Sequence, residues 1–205
     1  MSINTDSNDC LANLGWRPFF QQQLDLDEWS ECRVGRILAH HRSGFAVTLV
    51  SLLQPEQEEA FNLQPSPKLP AMTVGDWVLI DAAGHFVRLL ERSSLFSRKA
   101  AGTKLQEQLI AANVDTVFLV SSLNQDFNLS RIERYLAMIR DAGASPVAVL
   151  SKRDCCDNPE DYLREVQVLD PLLPVCAVVG TDPNEVQGLT DWCTPGSTVA
   201  FLGSS

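Results

Sequence analysis

Between Val114 and Leu202 the chain alternates four times between a short apolar run and a helical or turn-rich stretch, and few folds accept that pattern. Val114-Asp-Thr-Val-Phe-Leu-Val120 is almost continuously apolar, as a strand buried on both faces must be. Leu129 to Ala142 follows with Ile132, Leu136 and Ile139 at helical spacing, and Gly143 sits where a helix stops. Pro146–Leu150 reads as a second strand, Pro159–Leu169 as a second helix, and Pro174–Val179 as a third strand. A short helix over Glu185–Trp192 and a fourth strand over Ser197–Leu202 complete the series. Strand and helix in alternation predict a parallel sheet with crossover helices.

The preceding part reads differently. From about Cys32 to Arg92 the pattern is β, with strands at Phe45–Val50, Asp76–Ile80 and Phe86–Leu90 and turns at Gly75 and Gly84. Gln54–Pro70 carries Pro55, Pro65, Pro67 and Pro70, which bars it from a central strand and predicts a loop. Short strands with one long loop fit an OB-type barrel, and an SH3-like barrel reads almost the same. In residues 1–30, Trp16, Phe19 and Phe20 fit a short helix or an arm laid on the next domain. Residues 93–110, with Arg98, Lys99 and Lys104 around Gly102, read as an exposed basic connector, and 111–205 as the α/β part.

The net charge of −10 argues against nucleic acid as a partner until its distribution is examined. Residues 31–104 carry nine Lys or Arg against seven acids, whereas residues 105–205 carry six against fourteen. A weakly basic middle between acidic flanks suggests modules with different partners. No apolar run reaches the roughly 18 residues that cross a bilayer. The acidic Met1–Cys10 stretch is no secretory leader, so the cytoplasm and no membrane are expected. Six scattered cysteines without a CxxC pair fit free thiols better than a disulfide frame or a zinc site.

Ligands of parallel α/β sheets bind beyond the carboxyl ends of the strands. One such end runs into Ser151-Lys-Arg-Asp154, where a carboxylate suits the ring N–H and amine of guanine and a Lys stem suits the base plane. A solvated charged turn has the same composition. The other end runs into Gly203-Ser-Ser205, which fits the opening of a phosphate loop or a plain terminus. Arg33, Arg36, Arg42, Arg98 and Lys99, with His40 and His41 nearby, fit either an RNA-phosphate face or a solvated surface. Trp77 reads as barrel core, and Cys155-Cys156 as a loop feature.

Longer motifs weigh these readings. Arg92-Ser-Ser-Leu-Phe-Ser-Arg-Lys-Ala-Ala-Gly102, then Gln108-Leu-Ile-Ala-Ala-Asn-Val-Asp115, closely resembles the junction of the circularly permuted, small-subunit-dependent GTPases of the YjeQ/RsgA family. Gly75-Asp-Trp-Val78 resembles that family's barrel motif, and Leu129–Leu136 the helix after its first GTPase strand. The resemblance implies an OB barrel followed by a P-loop GTPase domain whose base-recognition motif precedes the phosphate loop, with a zinc-binding domain last. It places Ser151, Lys152, Arg153 and Asp154 on the Asn-Lys-x-Asp motif, with Asp154 reading guanine, Lys152 covering it, and Ser151 standing where the family has Asn. It places Gly203, Ser204 and Ser205 at the start of the phosphate loop. Near Val179-Gly180 the family's Ser-Ala pair is not matched, and no binding role is carried over there.

The expectation is a GTP-hydrolysing assembly factor that binds GTP/GDP and magnesium and acts on the small ribosomal subunit and its rRNA. On this expectation the sequence is part of a longer protein, inactive alone, with zinc only in the absent domain. The alternative is a non-catalytic RNA- or protein-binding adaptor with an OB barrel and a degenerate nucleotide domain. A dinucleotide dehydrogenase is disfavoured because no GxGxxG follows any strand.

Overall fold

Alternate residues of one strand show how the first half is built: Val78 and Ile80 enter one core, while Trp77 and Leu79 enter another on the opposite face. The computed structural model describes residues 10–99 and 107–203. The chain divides into two compact units between Asn113 and Val114.

In the first unit, β1 (Cys32–His41), β2 (Gly44–Ser51), β3 (Gln54–Leu63), β4 (Trp77–Asp81) and β5 (Phe86–Leu89) form an antiparallel sheet in the order β3-β2-β1-β4-β5. One face holds Ile37, Phe45, Val47, Leu49, Leu63, Val78 and Ile80, with Phe61 of β3 and Leu89 of β5 packed against them. Both edge strands thus pack on one core, in keeping with a five-stranded, partly open barrel of the OB type. Gly35 is required there, since a Cβ would come within 2.6 Å of Leu49 and Val47. The other face lies under the N-terminal segment of α1 (Cys10–Asn13), α2 (Pro18–Gln21) and α3 (Leu26–Glu31). Trp16 meets Trp77 edge-on at 4.9 Å between centroids, and Phe20 is buried beside both. Trp77 is therefore core as expected, but on the outer face of the sheet. Arg88 clips the arm to β5, donating to both Glu28 carboxylate oxygens at 2.6 and 2.8 Å and to the Gln23 carbonyl at 2.6 Å.

Two sequence expectations change here. Gln54–Leu63 is a strand rather than a loop: β3 is an edge, where a proline near the strand start costs no ladder bond. The supposed connector holds an antiparallel hairpin of β6 (Leu95–Lys99) and β7 (Glu107–Ala112). Its basic residues conceal a strand whose partner begins eight residues after it ends.

The hairpin is knotted to the sheet. Gly75 sits at φ +91, and a Cβ there would lie 2.0 Å from the Ala112 carbonyl. Asp76, fully buried, accepts from Thr73 N–H at 2.8 Å and from Arg92 at 2.6 and 2.8 Å. Asn113, at φ +55, donates to the Gly75 carbonyl at 2.8 Å and accepts from Ser93 N–H at 2.8 Å.

The second unit is a parallel sheet of β8 (Thr116–Ser122), β9 (Ser145–Ser151), β10 (Val175–Val178) and β11 (Val199–Gly203), in the order β10-β9-β8-β11. α4 (Leu129–Asp141) joins β8 to β9 and buries Ile132, Leu136 and Ile139, the three positions its periodicity marks. The Asn128 side chain caps its start, accepting from Arg131 N–H at 2.8 Å, and Gly143 at φ +86 lets the chain leave it. α5 (Pro159–Leu169) joins β9 to β10 and buries Val166. α6 (Pro183–Val186) and a 3₁₀ run (Gln187–Trp192) return the chain to β11.

Candidate functional site

From β8 to β9 to β10 the chain steps outward in one direction, and β11 is then laid on the other side of β8. The direction reverses between β8 and β11, and crevices at such reversals are where open α/β sheets bind ligands. Among the described residues three loops leave the carboxyl edge of this sheet, after β8, β9 and β10, and Gly203 ends β11 at the same edge.

The loop after β8 is tied down. Leu123 N–H donates to the Ser151 carbonyl at 2.8 Å, and Asn124 Oδ1 accepts from Ser122 Oγ at 2.8 Å and from Asp126 N–H at 3.0 Å. The loop after β9 is the stretch singled out as base-reading. Ser151 Oγ donates to the Ser121 carbonyl at 3.4 Å, so this hydroxyl is spent on the neighbouring strand. Lys152 then takes φ +60, ψ +40, and a one-turn 3₁₀ helix, Arg153–Cys155, follows. Left-handed backbone on a lysine is strained, and it turns the chain so that Lys152, Arg153 and Asp154 all stand exposed. Arg153 pairs with Glu185, whose other carboxylate oxygen accepts from Val179 N–H at 2.7 Å. Cys155 is an exposed free thiol and Cys156 a half-buried one.

Gly203 ends β11 opposite Val120, and a Cβ there would lie 2.5 Å from the Val120 carbonyl, so close pairing alone demands glycine. Ser204 and Ser205 lie outside the described residues. Among the described residues no three His, Cys, Asp or Glu converge as a metal site, so no ligand set for magnesium or zinc is assigned. No described helix is long and apolar enough to cross a membrane.

In the first unit the basic residues separate. Arg42 is exposed in the β1–β2 turn, and Arg98 is exposed with Nε donating to Gln108 at 2.9 Å. Arg33 pairs with Glu59 at 2.6 Å. Arg36 is corrected: only 7% exposed, it donates to the Leu14 and Asn113 carbonyls and lies 5.5 Å from the Trp77 ring centre, so it is not offered to a phosphate. Burial, with Arg17 nearby, lowers its pKa to about 10. The side chain of Lys99 lies outside the described residues. A cleft of about 430 Å³, unmarked by any sequence motif, opens between His40, stacked on Phe45 at 4.3 Å, and Leu69, Met72 and Leu109.

Residues 89–205 match the family model described as RsgA GTPase. A small ribosomal subunit biogenesis GTPase RsgA 2 of Vibrio parahaemolyticus is 55% identical over 195 residues, 95% of this chain and 52% of that protein. The corresponding RsgA of Mesorhizobium japonicum is 39% identical over 98% of this chain and 56% of its own length. The chain thus spans about half the length of the curated relatives it matches. Among solved structures, YjeQ from Thermotoga maritima aligns with TM-score 0.64 at 20% identity, covering 85% of this chain and 61% of that one. YloQ, titled a circularly permuted GTPase, aligns with TM-score 0.65 at 18% identity, covering 89% and 63%. These two likenesses give the fold.

Proposed function

Because this chain belongs to the RsgA GTPase family, we propose that it supplies the OB barrel and the base-recognising half of a GTPase acting on the small ribosomal subunit. The observation that carries this reading is Lys152: a strained, exposed lysine at the end of a buried parallel strand, two residues before an exposed carboxylate. Strain of this kind persists where the surrounding structure over-determines it, and it gathers at ligand sites. Asp154 accepts from the guanine ring N–H and exocyclic amine, and the Lys152 stem covers the base face. Ser151 serves the loop rather than the base, since its hydroxyl already donates to Ser121.

The phosphate side is thinner. Gly203 stands at the crevice between β8 and β11, but the 205 residues contain no Gly-Lys-Ser or Gly-Lys-Thr. No residue here is therefore assigned to magnesium or to hydrolysis, the chemistry those groups supply in phosphoryl transfer. Residues 1–205 are expected to bind GDP too weakly for detection at micromolar nucleotide, because backbone N–H groups around the phosphates normally contribute much of the affinity. In the whole protein we assign GTP/GDP and magnesium as ligands, the small subunit and its rRNA as partners, and the cytoplasm as the place of action. Arg42, Arg98 and Lys99 are the candidate phosphate contacts on the barrel side.

Backbone NMR of residues 1–205 with millimolar nucleosides tests the base site. Guanosine should shift amides of Ser151–Cys155, and adenosine should not. Asp154→Asn should reverse the preference toward xanthosine, which carries a carbonyl where guanine carries its amine. Equal shifts with every purine, or none, would overturn the reading and favour the adaptor.

A further inference from the structure

The loop after β10 has little to hold it. Gly180 brings no side chain, and a Cβ there would meet nothing within 4 Å. A local turn, Asp182 N–H to the Val179 carbonyl at 2.9 Å, closes the loop on itself without attaching it to its neighbour. β9 and β10 are parallel and in register, Ser151 beside Val178, so this loop and the base-reading loop leave the sheet side by side.

Glu185 is the residue that joins them. It lies in the first turn of α6, its side chain 23% exposed, and its two oxygens serve different loops. Oε2 accepts from Val179 N–H at 2.7 Å, and Oε1 accepts the Arg153 guanidinium. The bridge crosses 32 residues of sequence and reaches the residue between Lys152 and Asp154. As a stabilising ion pair it counts for little, since Arg153 is 47% exposed and such pairs are screened. Its geometry matters more. A carboxylate accepting a backbone N–H is a charge-assisted bond with a fixed direction, and here it also takes Arg153, one of the two cations of the adjacent turn.

Resting on the base-recognition reading above, we propose that Glu185 is a positioning residue for guanine. It fixes the spacing between the Lys152–Asp154 turn and the Val179–Gly180 loop, and so the width of the slot that admits the base. A slot held from both sides rejects a purine that leaves part of the carboxylate unpaired. Without the bridge, the β10 loop drifts and the turn carrying Asp154 loses its lateral tether. The signature of positioning is lost discrimination at nearly unchanged stability.

The test uses residues 1–205 and three variants, Glu185→Ala, Glu185→Gln and Arg153→Ala. Without nucleoside, amide hydrogen exchange reads the bridge: Glu185→Ala should speed exchange at Val179 at least tenfold, and Glu185→Gln, which keeps an acceptor, should restore most of the protection. Unchanged exchange in Glu185→Ala would overturn the bridge. With guanosine and inosine titrated in parallel, the wild type should favour guanosine. Glu185→Ala and Arg153→Ala should reduce that preference at least fivefold, while their thermal midpoints stay near wild type. Freed exchange at Val179 with an unchanged guanosine preference would overturn the positioning role and leave the base site standing. A wild-type chain that ignores guanosine would remove the base site, and the positioning role with it.

Discussion

Asn113 and Lys152 both hold left-handed backbone, one in each unit, and nothing else about them is alike. Asn113 is 2% exposed, and its side chain joins three segments of the first unit. Lys152 is exposed and starts a turn whose members face outward. Asparagine tolerates this conformation and returns hydrogen bonds for it, whereas lysine gains no such local compensation. The first unit spends its unusual residues on holding itself together, and the second spends one on presenting a loop.

The largest effect that would sharpen this contrast is expected at Asp76. Asp76→Ala leaves Arg92 without its buried carboxylate, and removing one partner of such a pair costs about 3–5 kcal/mol. Urea unfolding followed by tryptophan fluorescence should show it, since Trp16, Trp29 and Trp77 all lie in the first unit and only Trp192 in the second. A loss below about 1 kcal/mol would mean the knot is ornamental.

The next comparison is direct. Asn113→Gly permits the same backbone but strands the buried Gly75 carbonyl, at about 1–3 kcal/mol, and also gives up the bond from the N–H of exposed Ser93. Lys152→Gly relieves strain and should stabilise the second unit by roughly 0.5–1 kcal/mol while weakening guanosine binding. Opposite signs at the two sites would sharpen the contrast, and a loss of stability at both would break it. Chemical denaturation of each variant decides.

How far such distinctions were legible beforehand depends on whether the signal is local. The α/β unit was readable because each strand is a short apolar run with a helix of correct spacing after it, and Ile132, Leu136 and Ile139 are buried as that spacing requires. β3 was not, because proline argues against a strand without saying whether the strand lies at an edge. The β6–β7 hairpin was hidden by its charges. Arg36 was misplaced for a related reason: charge suggests surface, and only the fold brings the Leu14 and Asn113 carbonyls to it. In the site, the Ser151–Asp154 turn was visible as a motif. Glu185 was not, since nothing in a sequence announces a partner 32 residues away.

A smaller effect concerns the arm on the barrel. The Glu28 carboxyl is held below its ordinary value of 4.5, chiefly by hydrogen bonds from Arg88, with burial opposing. Its contribution is complete above 4.5 and is lost as pH falls through the lowered value in the folded protein. The stability gap between wild type and Glu28→Gln should therefore be flat above pH 4.5 and close below it, with a plateau under about 1 kcal/mol. A gap that widens in acid would reverse the sign.

The smallest change in stability is expected from Arg98→Glu, within about 0.5 kcal/mol for an exposed side chain. If the proposed docking on the small subunit holds, its effect there should be separable: weaker affinity, and a plot of log affinity against log salt shallower by about 1. Equal salt slopes would place the docking face elsewhere.

The order of strands in the parallel sheet has a consequence for synthesis. Asp115 accepts the Thr198 N–H at 2.8 Å beside the β8–β11 pairing, across 83 residues of chain. At about 5–20 residues per second, roughly 4–17 seconds pass between translation of one and of the other. Through that interval β8, β9 and β10 can pair while the far edge of β8 stays open. Thr116-Val-Phe-Leu-Val-Ser-Ser122 is rich in strand formers and uncharged, the kind of edge that recruits another chain. Nascent chains stalled before Val199 would keep that edge indefinitely, and crowded polysomes would bring such edges within reach of one another.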